Sequence, residues 1–253
     1  MLLGEPSRTQ YDLNFAIFGI PVRVHPLFWL AGVLLGPRSS GIQILLWMVA
    51  FFLGILCHEL GHALVMRSHG CFAWITLYGL GGLASCDRSR RAGGRYPEAW
   101  RQIAISAAGP LAGFLVAAIA LLLVHMRGYE VIWQFGAPLG VKATVIDTFH
   151  LGPQSLWLNF VNYLLFVTIV YGILNLLPVN PLDGGSIARE LFTMILGADG
   201  VRISLFVSMT VAGCLALFGA VKLHDPLLAI FFGLLAYSSF ATLQSFGNNR
   251  PWR

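Results

Sequence analysis

Two histidines four positions apart, His58 and His62, bracket a glutamate at Glu59. On a helix that spacing stacks both imidazoles on one face, one turn apart, where each can offer a nitrogen to the same metal ion. Glu59 then stands beside that ion, close enough to take a proton from a neighbouring water. The H-E-x-x-H pattern is hydrolytic in its chemistry, but two nitrogens leave a zinc ion short. A catalytic zinc takes three protein ligands and keeps one position for water. The bland alternative is a structural polar cluster. It has to account for three ionisable groups inside an apolar run, Ile42–Met66, where each carries a desolvation cost.

The acidic residue best placed to complete such a set is Asp183, in the segment Asn175-Leu-Leu-Pro178-Val-Asn180-Pro181-Leu-Asp183-Gly-Gly. Its two prolines break a helix and free backbone groups, tolerable at membrane depth only where protein or water satisfies them. Gly184 and Gly185 let the chain turn tightly behind the carboxylate. Asp183 also opens a helical pattern, so an ordinary helix cap explains it equally well from spacing alone. Of the other histidines, His25 precedes Pro26 at the start of an apolar segment and is open to a site-facing role. His69, His125, His150 and His224 read as loop or interfacial residues.

The elements that must position these groups are set by composition. Of 253 residues, 57% are hydrophobic and 11% charged, against roughly a quarter charged in a soluble domain. The charges fall in clumps between long apolar runs, which predicts an all-α polytopic membrane protein in contact with the lipid bilayer. About six transmembrane helices are expected: Pro26–Gly36, Ile42–Met66, Trp100–Met126, Leu156–Leu177, Val201–Val221 and Pro226–Leu243. The first is short for a crossing that needs about 20 residues. Six crossings put both termini on one side. If that side is the cytoplasm, it receives 12 of the 16 Lys and Arg residues, as the positive-inside rule requires. The net charge of +5 is thereby a matter of orientation, with no basic stripe for nucleic acid. The four cysteines form no C-x-x-C pair and read as apolar fillers, and no removable signal peptide is expected at the N-terminus.

Four further segments carry information. Phe15–Val24, interrupted by Pro21 and Arg23, suits an edge strand or an interfacial segment. Gly70–Asp87 consists of short apolar runs broken by Gly79, Gly81 and Gly82, and predicts a membrane-associated β-hairpin between the second and third spans, with an exposed edge. Arg88, Arg90, Arg91 and Arg95 then form a basic loop suited to anionic lipid. Asp183–Leu196 has a helical pattern too short and too polar to cross, and predicts an amphipathic helix.

Taken together, H-E-L-G-H in one span and N-x-x-P-x-x-P-L-D-G at Asn175–Gly184 resemble the site-2 protease family of intramembrane zinc metalloproteases. Gly109-Pro110-Leu-Ala-Gly113 and the glycine-rich hairpin support the resemblance. Gly19–Phe28 resembles the bacterial branch that includes the sporulation pro-sigma processing protease. The resemblance implies one zinc ion bound by His58, His62 and Asp183, with Glu59 as general base and Asn175 positioning substrate or the developing oxyanion. Gly81 and Gly82 would guide an extended substrate strand by edge pairing. It implies an endopeptidase of the bacterial cytoplasmic membrane acting on single-span membrane proteins in regulated intramembrane proteolysis, its termini and active-site end cytoplasmic. One domain over 1–253 is expected, without a nucleotide-sensing or PDZ module. Residues 1–25 would form the N-terminal segment, 26–69 the first two spans, 70–96 the hairpin and basic loop, and 97–253 the other four spans. The rival classes are a polytopic metal-ion transporter, which would need polar groups relayed through several spans, and an inactive membrane scaffold, which would lack a ligand or the base.

Overall fold

The structure is a computed structural model that describes residues 6–37, 41–79, 81–87, 99–136, 140–146 and 155–248. The basic loop with Arg88, Arg90, Arg91 and Arg95 lies outside the described residues, as does His150. The chain forms two compact units. One contains the described residues of Met1–Arg95 together with Ala108–Gly172; the other contains those of Tyr96–Ala107 and Ile173–Arg253.

The first unit begins with a hairpin, β1 (Leu13–Ile17) and β2 (Ile20–Val24), turned by Phe18 and Gly19, both at positive φ. A short helix α1 (Pro26–Leu35) follows, then the long helix α2 (Gly41–Ser68) and a second hairpin, β3 (Phe72–Tyr78) and β4 (Gly81–Asp87). The two hairpins join into one sheet of order β1-β2-β3-β4, with β2 parallel to β3 in the register Val22↔Ile75, Arg23↔Thr76 and Val24↔Leu77. The predicted hairpin is therefore half of a larger sheet, and the segment around Phe15–Val24 supplies the rest. Its apolar face (Ile20, Val22, Val24, Ile75 and Leu77) is fully buried with Phe28, Phe51 and Ile55.

Helices α3 (Ala99–Met126), from Ala108 on, and α4 (Leu156–Asn175), up to Gly172, also belong to this unit, and between them in sequence lies a separate two-stranded sheet, β5 (Glu130–Gly136) and β6 (Gly140–Ile146). Asn162 of α4 clamps that hairpin: its Oδ1 accepts from Val145 N at 2.6 Å and its Nδ2 donates to Val145 O at 3.1 Å. The helices approach through small residues, as association within lipid favours. A Cβ on Gly54 would lie 2.7 Å from Val167 of α4, one on Gly61 would strike the Ala108 carbonyl of α3, and one on Gly172 would lie 2.7 Å from Phe114.

The segment from Phe18 to Gly36 runs antiparallel to α2. Arg67, near the end of α2, donates to Phe18 O. At the other end Trp47 Nε1 donates to Gly32 O at 2.8 Å, and a Cβ on Gly36 would lie 2.8 Å from the Trp47 ring. From Trp47 to Arg67 α2 rises about 30 Å, the thickness of a bilayer's hydrocarbon core.

The second unit holds helix α5 (Asp183–Leu196), helix α6 (Asp199–Phe218), which ends in a wider π-turn over Gly219–Leu223, and helix α7 (Pro226–Asn248). Val179, Ala212, Phe232 and Leu235 form its buried core. Among the described residues, five helices are long and apolar enough to cross a membrane: Gly41–Ser68, Ala99–Met126, Leu156–Asn175, Asp199–Leu223 and Pro226–Ser245. The expected first crossing is a helix of only 10 residues, about 15 Å long. Large apolar side chains on the long helices face outward, including Leu111, Leu115, Ile119 and Leu122 along one stripe of α3. Water is a poor solvent for such a stripe and hydrocarbon a good one.

Candidate metal centre

His58, Glu59 and His62 lie in the second half of α2 and are all buried, at 2%, 3% and 6% exposure. The helical repeat turns both imidazoles to one side, their rings 4.8 Å apart and nearly perpendicular. Their Nε2 atoms stand 3.1 Å from each other. Two nitrogens bound to one tetrahedral zinc at about 2.05 Å would be about 3.3 Å apart. The pair is thus preset to within a few tenths of an ångström of what a shared ion requires.

Helix α3 makes room in front of those nitrogens. Gly109 faces them so closely that a Cβ there would strike His62 Nε2 and lie 2.8 Å from His58 Nε2. A side chain of any size would occupy the place where the two nitrogens converge. Gly61 brings the helices to this distance, since a Cβ on it would also lie 2.8 Å from the Ala112 methyl.

Strand β4 passes the carboxylate of the same motif. A Cβ on Gly82 would lie 2.5 Å from Glu59 Cγ and 2.8 Å from its Cδ. One residue earlier, a Cβ on Gly81 would lie 2.6 Å from the hydroxyl of Tyr171. Tyr171, on α4, also sets its ring edge-on to His58, with centroids 4.9 Å apart. The sequence reading missed Tyr171. The available signal was its place one helical turn before Asn175, on the same face of α4. Asn175 is the last residue of α4 and is buried.

Asp183 is the first residue of α5, and the cap position falls on Leu182, whose side chain makes no capping bond. The capping explanation of Asp183 thereby loses its place in the helix. A carboxylate in a first turn is favoured by the helix dipole. Gly184 and Gly185 fit tightly against the preceding loop: a Cβ on Gly184 would strike the Leu176 carbonyl, and one on Gly185 would lie 2.5 Å from Val179 O. His58 and His62 are a pair of imidazoles placed to share one metal ion, and Asp183 opens helix α5 of the other compact unit. Two imidazole nitrogens and a carboxylate are a donor set that suits zinc. His25 is engaged elsewhere: its Nδ1 accepts from Leu27 N at 3.2 Å as the cap of α1, and its backbone N–H donates to Leu77 O.

Comparison with known proteins points the same way. A zinc metalloprotease of Methanocaldococcus jannaschii is 25% identical over 226 residues, 85% of this chain and 56% of that protein. A relative from Synechocystis sp. that also carries a zinc metalloprotease name is 28% identical over 197 residues, 72% of this chain and 44% of that one. The chain spans about half the length of these curated relatives. The solved site-2 protease from Methanocaldococcus jannaschii shares the fold, with a TM-score of 0.57 at 22% identity over 96% of this chain and 97% of that one. Residues 46–218 match peptidase family M50, a span that reaches from the helix bearing both histidines to well past Asp183. By that match over more than half of its length, the chain belongs to peptidase family M50.

Proposed function

We propose that this chain is an intramembrane zinc endopeptidase that hydrolyses peptide bonds in or near the transmembrane segments of single-span membrane proteins. The reading rests above all on the paired imidazoles of His58 and His62, both buried on α2 with their Nε2 atoms 3.1 Å apart, with Glu59 between them and Asp183 as the third ligand that a catalytic zinc requires. A zinc ion held by His58, His62 and Asp183 would supply Lewis acidity to the attacking water and to the substrate carbonyl.

The chain's own groups do the rest. Glu59, shielded from bulk water, takes a proton from the attacking water as it adds to the scissile carbonyl, and returns it to the leaving amine as the C–N bond breaks. Asn175, aided by the Tyr171 hydroxyl beside Gly81, donates hydrogen bonds to the substrate carbonyl and the negative charge that develops on it. Substrate enters as an extended segment. Strand β4 is an edge of its sheet, and its first residues, Gly81 and Gly82, pass the Tyr171 hydroxyl and the Glu59 carboxylate. Edge pairing there lays a backbone alongside the base. A transmembrane helix hides its carbonyls in internal hydrogen bonds, so substrates with helix-weakening residues near the cut are preferred.

We further infer one metalloprotease domain over 1–253 in a bacterial cytoplasmic membrane, with both termini on the cytoplasmic side. The antiparallel run of Phe18–Gly36 along α2 supports the N-terminal part of this topology, since it brings the N-terminal hairpin to the same end of α2 as Arg67.

The test is hydrolysis of a panel of single-span substrates by purified protein. Glu59→Gln keeps the shape of the side chain and removes the base, and turnover should fall about 100-fold or more with bound zinc unchanged. Undiminished cleavage by this variant would eliminate Glu59 as the base. Asp183→Ala should lower both zinc content and turnover.

A further inference from the structure

The loop that carries Asp183 is held from behind by two serines of the last two helices. Asn180, three residues before Asp183, donates its backbone N–H to Ser208 Oγ of α6 at 2.7 Å. Ser208 Oγ lies 2.7 Å from Ser239 Oγ of α7. Both serines are enclosed, at 1% and 0% exposure. A hydroxyl buried between apolar helices is costly unless it is bonded, and this pair spends its bonding on one backbone group of the ligand loop.

Neighbouring contacts pass that anchor on to Asp183. Val179, next to Asn180, is buried in the core with Ala212, Phe232 and Leu235. The Leu182 N–H donates to Val179 O at 2.8 Å. Gly185 backs onto the loop so closely that a Cβ there would lie 2.6 Å from Asn180 N. Moving Asn180 therefore moves the backbone from Leu182 to Gly185. Ser204, one turn earlier on α6, is buried as well, but its hydroxyl donates to Val201 O of its own helix. It is a control in the same environment without the link to the loop.

We propose that Ser208, braced by Ser239, is a positioning residue for the third metal ligand, fixing the loop that carries Asp183 in one place. The proposal rests on Asp183 being a zinc ligand.

The experiment uses the full chain in detergent. Zinc affinity is measured by competition with a chromophoric chelator, and ligand geometry by the d–d absorption of the cobalt-loaded protein. Ser208→Ala should weaken zinc binding about tenfold, as loss of a supporting contact behind a ligand does, and should shift the cobalt band. Ser239→Ala should do the same to a smaller degree. Ser204→Ala should leave both readouts at the parent values, and Ser208→Thr, which keeps the hydroxyl, should recover most of the affinity. If Ser208→Ala yields no folded protein, Ser239→Ala decides, because it leaves the bond from Asn180 to Ser208 in place and removes only the brace. Parent affinity and spectrum in the serine variants, with both lost in Asp183→Ala, would overturn the proposal alone. Parent values in Asp183→Ala as well would overturn the ligand assignment and this inference with it.

Discussion

At the scale of single residues, the centre depends on an absence of side chain as much as on its ligands. Gly109 is the sharpest case. Alanine is the better helix former at an interior position by about 1 kcal/mol, so Gly109→Ala favours α3 locally. Its new methyl would nonetheless press on His62 Nε2 and His58 Nε2, the atoms offered to the metal. Zinc affinity should fall about tenfold or more while helical content by circular dichroism stays at the parent level; equal affinity in the two proteins would refute the assignment of that space to the ion. The H-E-x-x-H spacing marks His58, Glu59 and His62 as candidates in the sequence alone, whereas for Asp183 spacing left a helix cap as good an explanation and only the resemblance singled out a ligand. Spacing within one segment could not show what Gly109 faces, since its partners lie on another helix some fifty positions away. Tyr171 was hidden for the same reason.

At the scale of elements, the N-terminal hairpin shows how a charge that looked misplaced in an apolar run is accommodated. Arg23 is buried, and its Nη1 meets Asp12 Oδ2 at 3.1 Å while its Nη2 donates to Pro6 O at 2.9 Å. Asp12 also accepts from Thr9 Oγ1 at 2.6 Å and Thr9 N at 3.1 Å. The Thr9 hydroxyl, more than any other neighbour, holds the Asp12 carboxyl below its ordinary value of 3.8, and Arg23 adds to the effect. A folded-state pKa below the unfolded one favours the fold above pH 3.8, and that contribution is lost as pH falls through the lowered value. Amide protection in residues 9–24, relative to the unfolded chain at the same pH, should therefore fall below pH 3.8, and Asp12→Asn should abolish that pH dependence; identical protection profiles in parent and variant would refute the role of Asp12. Other elements were legible to different degrees. Helix α5 was readable at both ends, because Pro178 and Pro181 forbid a helix before Asp183 and Gly197 stops it after Leu196. The hairpin of β5 and β6 escaped, since two isolated strands are marginal on their own and this pair is clamped by Asn162 from outside. The parallel pairing of β2 with β3 joins segments about fifty residues apart, which no local pattern reveals.

At the scale of the whole chain, hydropathy separates the five long helices cleanly, but it cannot say how the opening segment reaches the far end of α2. The sequence predicted a first crossing at Pro26–Gly36 that is short for the bilayer. The chain instead uses β2 and α1 in series, about 16 Å of strand followed by about 15 Å of helix. Together they match the rise of α2 from Trp47 to Arg67. The reason is local: Arg23 and the β2–β3 pairing keep the first half extended, and Pro26 can begin a helix only after it. A strand at that depth is tolerable because its backbone groups pair within the sheet. This path predicts sidedness. In a variant lacking the four native cysteines, a cysteine at Gln10 should react with an impermeant maleimide from the same side of sealed vesicles as one at Ser68, and one at Arg127 from the opposite side. Reaction of Gln10→Cys from the Arg127 side would mean that the strand and short helix do not together make a crossing, and the orientation drawn from the distribution of Lys and Arg would have to be abandoned.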